Sequence, residues 1–281
     1  YTNVGKSTLM NALVGEKLSI ITSKAQTTRH RIMGIVSGED FQIVYSDTPG
    51  ILKPSYKLQE SMMKFVTGAL TDADVILYVT DTVEQSERSA EIVDSIRRSG
   101  IPTVVVINKI DLSTPEALEA LVDKWQAEIP GAQVVPTSAK ENFNIEGLFR
   151  TILSLLPEGP AFYPKDTLTD KTLRFFASEI IREKILKFYD KEIPYCCEIE
   201  IESYKEEPTI DRIAATIYVA RDSQKGILIG HKGEKLKRVG QTAREDMEQF
   251  LGKKVFLQLF VKVSDDWRNN ERQLRRFGYE Q

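Results

Sequence analysis

A phosphate-binding pattern stands at the start of the chain. Residues 3–8 read NVGKST, the end of the pattern G-x-x-x-x-G-K-[ST], in which backbone N–H groups and a helix N-terminus surround phosphate oxygens. In this pattern Lys6 would reach the β- and γ-phosphates, Ser7 would bind Mg²⁺, and Gly5 would let the backbone come close. The pattern's first glycine and the strand that feeds such a loop would precede residue 1, so we expect the natural chain to begin earlier.

A second motif could bind both metal and phosphate. Residues 45–50 read YSDTPG, a D-x-x-G pattern at the end of a short apolar run. Asp47 can hold Mg²⁺ through a water molecule, and the backbone N–H of Gly50 can meet a γ-phosphate. The phosphate and metal site predicted from these two motifs consists of Tyr1, Thr2, Asn3, Val4, Gly5, Lys6, Ser7, Thr8, Asp47, Thr48, Pro49, Gly50 and Ile51.

Two further motifs would identify the base. Residues 108–111 read NKID, and the Asp111 carboxylate can accept from both the ring N–H and the exocyclic amine of guanine. Adenine offers no such pair of donors, and because a buried unpaired carboxylate is costly, such a site can discriminate by roughly 10⁴-fold. Asn108 would brace the phosphate loop, Lys109 would lie along the base, and the Ala139 N–H of the TSAK motif could read guanine O6. The predicted base-contacting residues are Asn108, Lys109, Ile110, Asp111, Ser138, Ala139 and Lys140.

The segment between the first two motifs has the composition of a mobile polar loop. Residues 24–34 read KAQTTRHRIMG. A threonine hydroxyl here could complete the Mg²⁺ shell only when a γ-phosphate is present, which would make the loop a switch. Thr28 is favoured for this role over Thr27, and both stay open. We interpret His30 as a solvated loop residue rather than a general base.

The elements needed to position these motifs can be read from the apolar pattern. Short β-branched runs predict strands, helical periodicities alternate with them, and each motif follows a predicted strand, as in a doubly wound parallel sheet of the α/β class. The predicted strands cover residues 43–45, 75–79, 104–107 and 134–135, and the predicted helices cover 9–14, 58–69, 90–99, 115–128 and 145–156. Three prolines and a glycine in residues 157–166 then break the pattern.

The order of elements changes after this break. An amphipathic helix carrying Ala177, Ile181, Ile185 and Phe188 precedes two alternating strands, and a helix, a turn, a longer helix and a third strand at 255–263 follow. We predict a small antiparallel sheet with helices packed on it. The predicted domains are an N-terminally incomplete GTPase-type domain at 1–158, a linker at 159–172 and an α+β domain at 173–281.

The turn in the second half has the features of an RNA clamp. Residues 230–233 read GHKG between two helices, with cationic side chains around them and an apolar floor expected from Ile227, Leu228 and Ile229. A G-x-x-G loop in this order of elements is typical of a KH module, which binds about four nucleotides of single-stranded RNA. The alternative is a solvated turn with ordinary surface lysines. The predicted RNA-binding residues are Arg221, Lys225, Gly230, His231, Lys232, Gly233, Lys235, Lys237 and Arg238.

The C-terminal segment combines aromatic and basic residues. We expect Trp267, Leu274 and Phe277 to pack against the domain. The arginines of the same segment are expected to be available to phosphates, namely Arg268, Arg272, Arg275 and Arg276.

Composition sets outer limits on the class of protein. The chain has 281 residues and a formal net charge of −3, so only local clusters of charge can point to a partner. No apolar run approaches the roughly 20 residues that cross a bilayer, and no secretory leader precedes the first motif, so we expect a cytoplasmic protein. The two cysteines, Cys196 and Cys197, are adjacent in a predicted strand, which argues against a disulfide or metal site.

With these motifs in order, the whole chain resembles the Era family of GTPases. The resemblance rests on NVGKSTLMNALVGEKLSI, KAQTTRHRI, DTPGI, NKID, SAK, IREKIL, GHKG and DDWRNNERQLRRFGY. It implies a P-loop GTPase domain followed by a type II KH domain, with GTP or GDP and Mg²⁺ bound. It also implies binding to the 3′ end of small-subunit ribosomal RNA, a role in assembly and maturation of the small ribosomal subunit, a monomeric state, and peripheral association with the cytoplasmic face of the membrane.

The resemblance also raises the question of how water is activated. Many small GTPases place a glutamine just after D-x-x-G, but Ile51 stands there and can neither donate nor accept. Asn3 resembles the asparagine that holds a potassium ion against the phosphates in related GTPases, with Thr28 closing over it; the alternative is that Asn3 only shapes the loop. The predicted catalytic residues are Lys6, Thr28, Gly50 and Asn3.

Three functional interpretations stay open at this point. The preferred one is an enzyme whose GTP state controls RNA binding. The second is a nucleotide-switched RNA-binding module with negligible turnover. The third, a double-GTPase assembly factor with a degenerate KH-like domain, is disfavoured because only one N-K-x-D motif occurs and the G-x-x-G turn is intact.

Overall fold

The computed structural model describes residues 3–22, 24, 26–83 and 90–279. The chain forms two compact units. The first unit comprises the described residues within 1–19, 31–52 and 64–170. The second comprises those within 20–30, 53–63 and 171–281, so that two short segments from the first half of the chain belong with the C-terminal half. The predicted boundaries at 158 and 172 stay a proposal.

The strands of the first unit form two sheets. Strands β1 (Ile32–Ser37) and β2 (Gln42–Asp47) pair antiparallel, and β3 (Ile76–Asp81), β4 (Thr103–Asn108) and β5 (Gln133–Pro136) pair parallel in that order. Every residue of β4 is buried, as expected for a strand covered on both faces. A cavity of about 490 Å³ is lined by residues of both β2 and β3.

Helices connect these strands. They are α1 (Lys6–Val14), α2 (Lys57–Thr71), α3 (Ala90–Ser99), α4 (Pro115–Glu128) and α5 (Ile145–Leu155), with a 3₁₀ turn at Ile110–Leu112. The start of α4 shows how the sequence places a boundary: Pro115 occupies the first turn, and the Thr114 hydroxyl accepts from the Ala117 N–H at 3.3 Å.

Strand β1 was not predicted. The sequence suggested a polar loop over 24–34, but the chain is extended from Ile32, and Ile32 and Ile35 are buried. Gly34 interrupts the β-branched run and hides the pattern. A Cβ atom at Gly34 would lie 2.7 Å from a methyl group of Val14 and 2.8 Å from that of Met10, so the glycine lets α1 pack closely on the strand.

Residues 159–170 of the first unit follow the edge of its antiparallel sheet. The Gln42 side-chain oxygen accepts from the backbone N–H groups of Phe162 and Tyr163 at 2.8 and 2.9 Å. The Ile35 N–H donates to the Leu168 carbonyl at 2.8 Å, and the Met33 N–H donates to Asp170 at 2.9 Å. This connection is therefore ordered by hydrogen bonds to the strands.

The second unit contains a mixed sheet. Strands β6 (Glu198–Glu206) and β7 (Ile210–Val219) are antiparallel, whereas β8 (Lys254–Val263) runs parallel to β7. The prediction of an antiparallel sheet is therefore wrong for β8. Parallel strands need a long crossover, and two helices supply it here. The helices of this unit are α6 (Leu173–Phe188), α7 (Ile193–Cys196), α8 (Asp222–Ile229), α9 (Glu234–Leu251) and α10 (Glu271–Arg276), with 3₁₀ turns at His231–Gly233 and Trp267–Asn269.

The core of the second unit lies between this sheet and its helices. Ile181 and Ile185 of α6 pack with Ile217 of β7 and with Val239 and Met247 of α9, all fully buried. The predicted amphipathic spacings of both helices therefore identify the faces that contact the sheet.

The cysteines lie just before β6 and not within it, which corrects the predicted strand position. Cys196 ends α7 and Cys197 follows it, and both are buried free thiols. Both sulfur atoms lie within hydrogen-bond distance of the Ile193 carbonyl, at 3.4 and 3.0 Å.

Among the described residues, no helix is both long enough and apolar enough to cross a membrane.

Candidate nucleotide site and RNA-binding turn

The phosphate loop is shaped by a glycine that no other residue could replace without strain. Gly5 has φ 89° and ends the loop where α1 begins, and no side chain caps this helix. A Cβ atom at Gly5 would lie 2.3 Å from the Asn108 amide nitrogen, which itself donates to the Val4 carbonyl at 2.9 Å. The close approach and the helix N-terminus fit a phosphate group. The first two predicted residues, Tyr1 and Thr2, lie outside the described part of the chain.

The predicted metal ligands of the first unit lie together. The Ser7 hydroxyl donates to the Asp47 carboxylate at 2.8 Å, and Asp47 is buried. Hard oxygen donors of this kind suit Mg²⁺, which usually keeps several waters and takes its other ligands from substrate phosphates. The described residues contain no group of three or more His, Cys, Asp or Glu side chains that could hold a metal by itself.

Two loops of the predicted base site are joined by side chains. The Ser138 hydroxyl donates to the Asp111 carboxylate at 2.6 Å. The Asn108 amide oxygen accepts from the Ala139 N–H at 3.0 Å while its nitrogen holds Val4. Asn108 thus links the phosphate loop to the TSAK loop. The Ala139 N–H, expected to read guanine O6, is directed at Asn108 here.

Lys109 makes contacts that the sequence did not suggest. Its backbone is left-handed, with φ 60°. Its ammonium group donates to the Asn3 carbonyl and pairs with Asp81 at 2.6 Å. Asp81 was missed because no motif contains it. The signal that could have found it is register, since Asp81 at the end of β3 lies beside Asn108 at the end of β4.

The predicted switch threonine belongs to the second unit. Thr28 is buried, and its neighbours on both sides are held by that unit. The Thr27 carbonyl accepts from Arg182 of α6. Arg29 is 1 % exposed and donates to the carbonyls of Cys197 and Pro194 at 2.7 and 3.1 Å. The role of Thr28 as a magnesium ligand stays a prediction.

His30 is an aromatic packing residue, which corrects its interpretation as solvated. Its ring stacks on Tyr279 with centroids 4.3 Å apart and meets Phe175 edge-on at 5.6 Å. Burial lowers the pKa of His30 to about 3, and the nearby charges of Arg182, Lys171 and Arg29 act in the same direction. The ring is therefore neutral at physiological pH.

The G-x-x-G turn presents its charges outward. Gly230 and Gly233 have φ 75° and 80°, and His231 and Lys232 are exposed between them. Of the predicted apolar floor, Ile227 is 43 % exposed and Ile229 is partly buried, but Leu228 is fully buried in the core. Leu228 is therefore not part of the floor.

The cationic residues on either side of the G-x-x-G turn differ in solvent exposure. Arg221, Lys235, Lys237 and Arg238 are exposed, and Lys225 is partly buried. Two of them lie over aromatic rings of the same unit, Arg238 at 4.3 Å from the Phe188 centroid and Lys235 at 5.8 Å from that of Tyr189. Such stacking fixes the stem of a cation while leaving its charge at the surface.

The C-terminal segment packs largely as expected. Trp267 and Leu274 are fully buried, and the Phe277 ring lies 5.6 Å from that of Trp267. Arg276, expected to be available to phosphates, forms two hydrogen bonds with Glu200 and is committed to that pair. Arg268 lies over the Tyr56 ring at 4.7 Å, whereas Arg272 and Arg275 are exposed.

Known proteins share both halves of this arrangement. A family model described as 50S ribosome-binding GTPase matches residues 1–109, and a KH-domain model matches residues 192–268. The GTPase Era of Alkaliphilus metalliredigens is 44 % identical over 281 residues, which cover 99 % of this chain and 95 % of that protein. The chain belongs to the GTPase Era family. It is therefore a GTPase, and the family and fold class inferred from the motifs are confirmed.

Solved structures of Era extend this likeness to three dimensions. One is Era in complex with MgGDPNP and nucleotides 1506–1542 of 16S ribosomal RNA, which is 40 % identical with a TM-score of 0.95, covering 100 % of this chain and 96 % of that one. Another is a tyrosine-to-alanine variant of Aquifex aeolicus Era bound to GDP·AlF4⁻, also 40 % identical, with a TM-score of 0.96 and the same coverage.

Proposed function

We propose that this protein hydrolyses GTP and couples its nucleotide state to binding of the 3′ end of small-subunit ribosomal RNA during assembly of that subunit and maturation of its RNA. The observation that carries the proposal is the pairing, in one chain, of a guanine-nucleotide site with an outward-facing GHKG turn. Its near full-length likeness to an Era bound to 16S ribosomal RNA supports this choice of partner. The family model that names the large subunit covers only residues 1–109 and so bears less on the RNA-binding half.

The turn is suited to the backbone of single-stranded RNA. Its two glycines leave little side-chain bulk, and the exposed Lys232, Lys235 and Lys237 concentrate positive charge in a chain whose net charge is −3. Favourable binding of phosphates therefore depends on this local cluster.

The nucleotide site assigns distinct roles to its residues. Asp111, oriented by Ser138, would accept the two donors of guanine, and Lys6 would neutralise the β- and γ-phosphates. Ser7 and Asp47 would hold Mg²⁺, with Thr28 joining them in the GTP state. The ion supplies charge neutralisation between the phosphates when it is bound.

Water activation needs a device other than the usual glutamine. Ile51 follows the D-x-x-G motif and offers no polar atom. We assign to Asn3 the binding of a potassium ion that would supply positive charge at the transition state. The same absence of a polar side chain at Ile51 favours a second candidate, an RNA-binding switch with negligible turnover. Steady-state phosphate release at saturating GTP separates the two, since only the enzyme releases many phosphates per molecule.

The cellular setting follows from the family resemblance. We assign the protein to the cytoplasm as a monomer, with peripheral association at the cytoplasmic face of the membrane. Co-sedimentation of the protein with vesicles of anionic phospholipid at 0.15 M salt tests the membrane part; protein that stays in the supernatant contradicts it.

RNA titration tests the central proposal. A labelled RNA with the 3′-end sequence of 16S ribosomal RNA is titrated with protein loaded with GDP or with a non-hydrolysable GTP analogue, at one fixed salt concentration. We expect tighter binding with the GTP analogue, and weaker binding of a scrambled RNA.

A charge-reversed variant locates the RNA site. His231→Asp combined with Lys232→Asp should abolish RNA binding by repelling phosphates, with nucleotide affinity unchanged. The matched control is Lys205→Asp with Lys254→Asp, two exposed cations of the same unit outside the predicted RNA site. Equal RNA affinity in wild type and turn variant would place the RNA elsewhere.

A further inference from the structure

We propose that Asp81 is a positioning residue of the guanine-nucleotide site and acts through Lys109. The inference rests on the nucleotide-binding part of the proposed function. It concerns a residue that lies outside all four nucleotide motifs, at the carboxyl end of β3.

The Asp81 carboxylate is fixed from two sides. One oxygen accepts from the Val83 N–H at 3.0 Å, and the other pairs with the Lys109 ammonium at 2.6 Å. The side chain is 8 % exposed. Because both oxygens have partners and solvent is largely excluded, this carboxylate offers a fixed acceptor and not a mobile surface charge.

Lys109 connects Asp81 to the phosphate loop. Its backbone lies in the left-handed region that non-glycine residues rarely adopt, and its carbonyl accepts from the Thr82 hydroxyl at 3.4 Å. Its ammonium group reaches the Asn3 carbonyl while it is paired with Asp81. The end of β3 therefore holds both the backbone and the side chain of this lysine.

The phosphate loop receives two links from the end of β4. Asn108 donates to the Val4 carbonyl, and Lys109 donates to the preceding carbonyl, that of Asn3. Asn108 is itself held by Ala139, whereas Lys109 is held by Asp81. Asp81 therefore holds Lys109 in place, as Ala139 of the TSAK loop holds Asn108.

Without Asp81 the lysine would have to be ordered when nucleotide binds. A free lysine side chain populates many rotamers, and fixing it opposes binding. Its stem would also no longer be held beside the base, where the N-K-x-D motif is expected to place it. We expect Asp81→Asn, which removes the charge and leaves one acceptor oxygen for two donors, to weaken GDP and GTP binding about tenfold, mainly through faster release.

A double-mutant cycle tests whether Asp81 acts through Lys109. The release of a fluorescent GDP analogue is measured for wild type, Asp81→Asn, Lys109→Met and the double variant of the full chain. If the proposal is correct, Asp81→Asn speeds release in the wild-type background and has no further effect when Lys109 is methionine. Equal effects of Asp81→Asn in both backgrounds would overturn it, because a structural role does not need the lysine.

Two further variants control for a nonspecific effect of removing a carboxylate and for misfolding of the asparagine variant. Asp94→Asn removes an exposed carboxylate paired with Arg97 and should leave release unchanged. Asp81→Glu keeps the charge and should retain most of the affinity, so it serves if the asparagine variant does not fold; a glutamate variant that folds but releases GDP as fast as Lys109→Met contradicts the proposal. Failure of the wild type to bind the analogue would refute the proposed function and not this role.

Discussion

The buried pair of Arg29 and Glu198 allows a quantitative prediction about the second unit. Arg29 is 1 % exposed and donates to Glu198 at 3.1 Å and to two backbone carbonyls. Glu198 is also buried, and accepts from the Tyr279 hydroxyl at 2.7 Å. Replacing Arg29 by methionine removes these charged hydrogen bonds and leaves a buried carboxylate without its countercharge. We expect the free energy of unfolding of the second unit to fall by about 3–5 kcal/mol.

A double variant separates loss of the charge partner from loss of packing. In Arg29→Met combined with Glu198→Gln no uncompensated charge remains, and the amide oxygen can still accept from Tyr279. We expect this variant to recover about 2 kcal/mol of the loss. The exposed pair of Arg212 with Glu207 in the same unit provides a matched control, and Arg212→Met should cost less than about 1 kcal/mol.

The pH dependence of the same variant follows from the pKa of Glu198. Burial raises this pKa above its ordinary value, while Arg29 and Tyr279 act against the rise. For a group whose folded-state pKa is raised, the contribution to stability is fully present below the unfolded-state pKa, about 4.3, and is lost as the pH rises through the folded-state value. Removing Arg29 raises the folded-state pKa further. The deficit of Arg29→Met should therefore shrink as the pH is lowered from 7 toward 4.5.

Tryptophan fluorescence during urea unfolding can measure these changes. Trp267 is fully buried in the second unit, and replacing Trp125 of the first unit by phenylalanine makes it the sole tryptophan. This matters because a chain of two units need not unfold in one step. A loss below about 1 kcal/mol for Arg29→Met, or a double variant no more stable than the single one, would refute the reasoning.

Three other substitutions test the nucleotide site. Asp111→Asn should shift specificity from guanine toward xanthine nucleotides, because the amide can donate where the carboxylate only accepts; competition between GTP and XTP measures it, and an unchanged preference for GTP contradicts the assignment. GTP hydrolysis should be faster in potassium than in sodium at equal ionic strength, and Asn3→Ala should remove the difference; identical wild-type rates in both salts contradict the potassium site. Gly5→Ala should weaken nucleotide binding by tenfold or more, since the added methyl group meets the Asn108 amide at 2.3 Å, and calorimetric titration with GDP would reveal an affinity that did not fall.

The proximity of several candidate site residues could be predicted from the sequence because local patterns define the motifs that contain them. Ser7 and Asp47, 40 residues apart, were placed together because ligands of such folds bind where parallel strands end. The same reasoning predicted that Asp111 and Ser138 lie close together, and they are hydrogen-bonded. Asp81 was not predicted because its proposed role depends on pairing with Lys109 across two strands, and a single carboxylate at the end of a strand forms no recognisable motif.

The features that the sequence did not predict have one physical reason in common: each depends on contacts with residues distant in sequence. Strand β1 needs Gly34 because of side chains on α1, and periodicity cannot show that contact. The parallel direction of β8 depends on where two helices carry the chain. The position of Arg29 depends on Glu198, 169 residues later. Residues 24–34 were predicted as a loop of the first half, whereas residues 20–30 belong to the second unit.

Helix α6 shows why the burial of charged residues is difficult to predict from this sequence. Its apolar spacing predicted one buried face, and its charged residues would ordinarily be assigned to a solvated face. Yet Glu179, Arg182, Glu183 and Lys184 are all buried. Arg182 pairs with Glu179 at 2.7 Å and also donates to the Thr27 carbonyl, while Lys184 pairs with Asp246 of α9.

The charged face of α6 is thus covered by partners that are themselves polar. A buried charge is tolerated only where an opposite charge or several hydrogen bonds compensate it. Glu179 and Glu183 are compensated by cations of the same helix, whereas Arg182 and Lys184 also contact segments distant in sequence. The contact of Arg182 with Thr27 is the informative one, because Thr27 and Arg29 flank Thr28 and both are bound by groups of the second unit. Arg182, which the sequence pattern would assign to a solvated face, therefore helps to hold the segment around the predicted switch residue within the second unit.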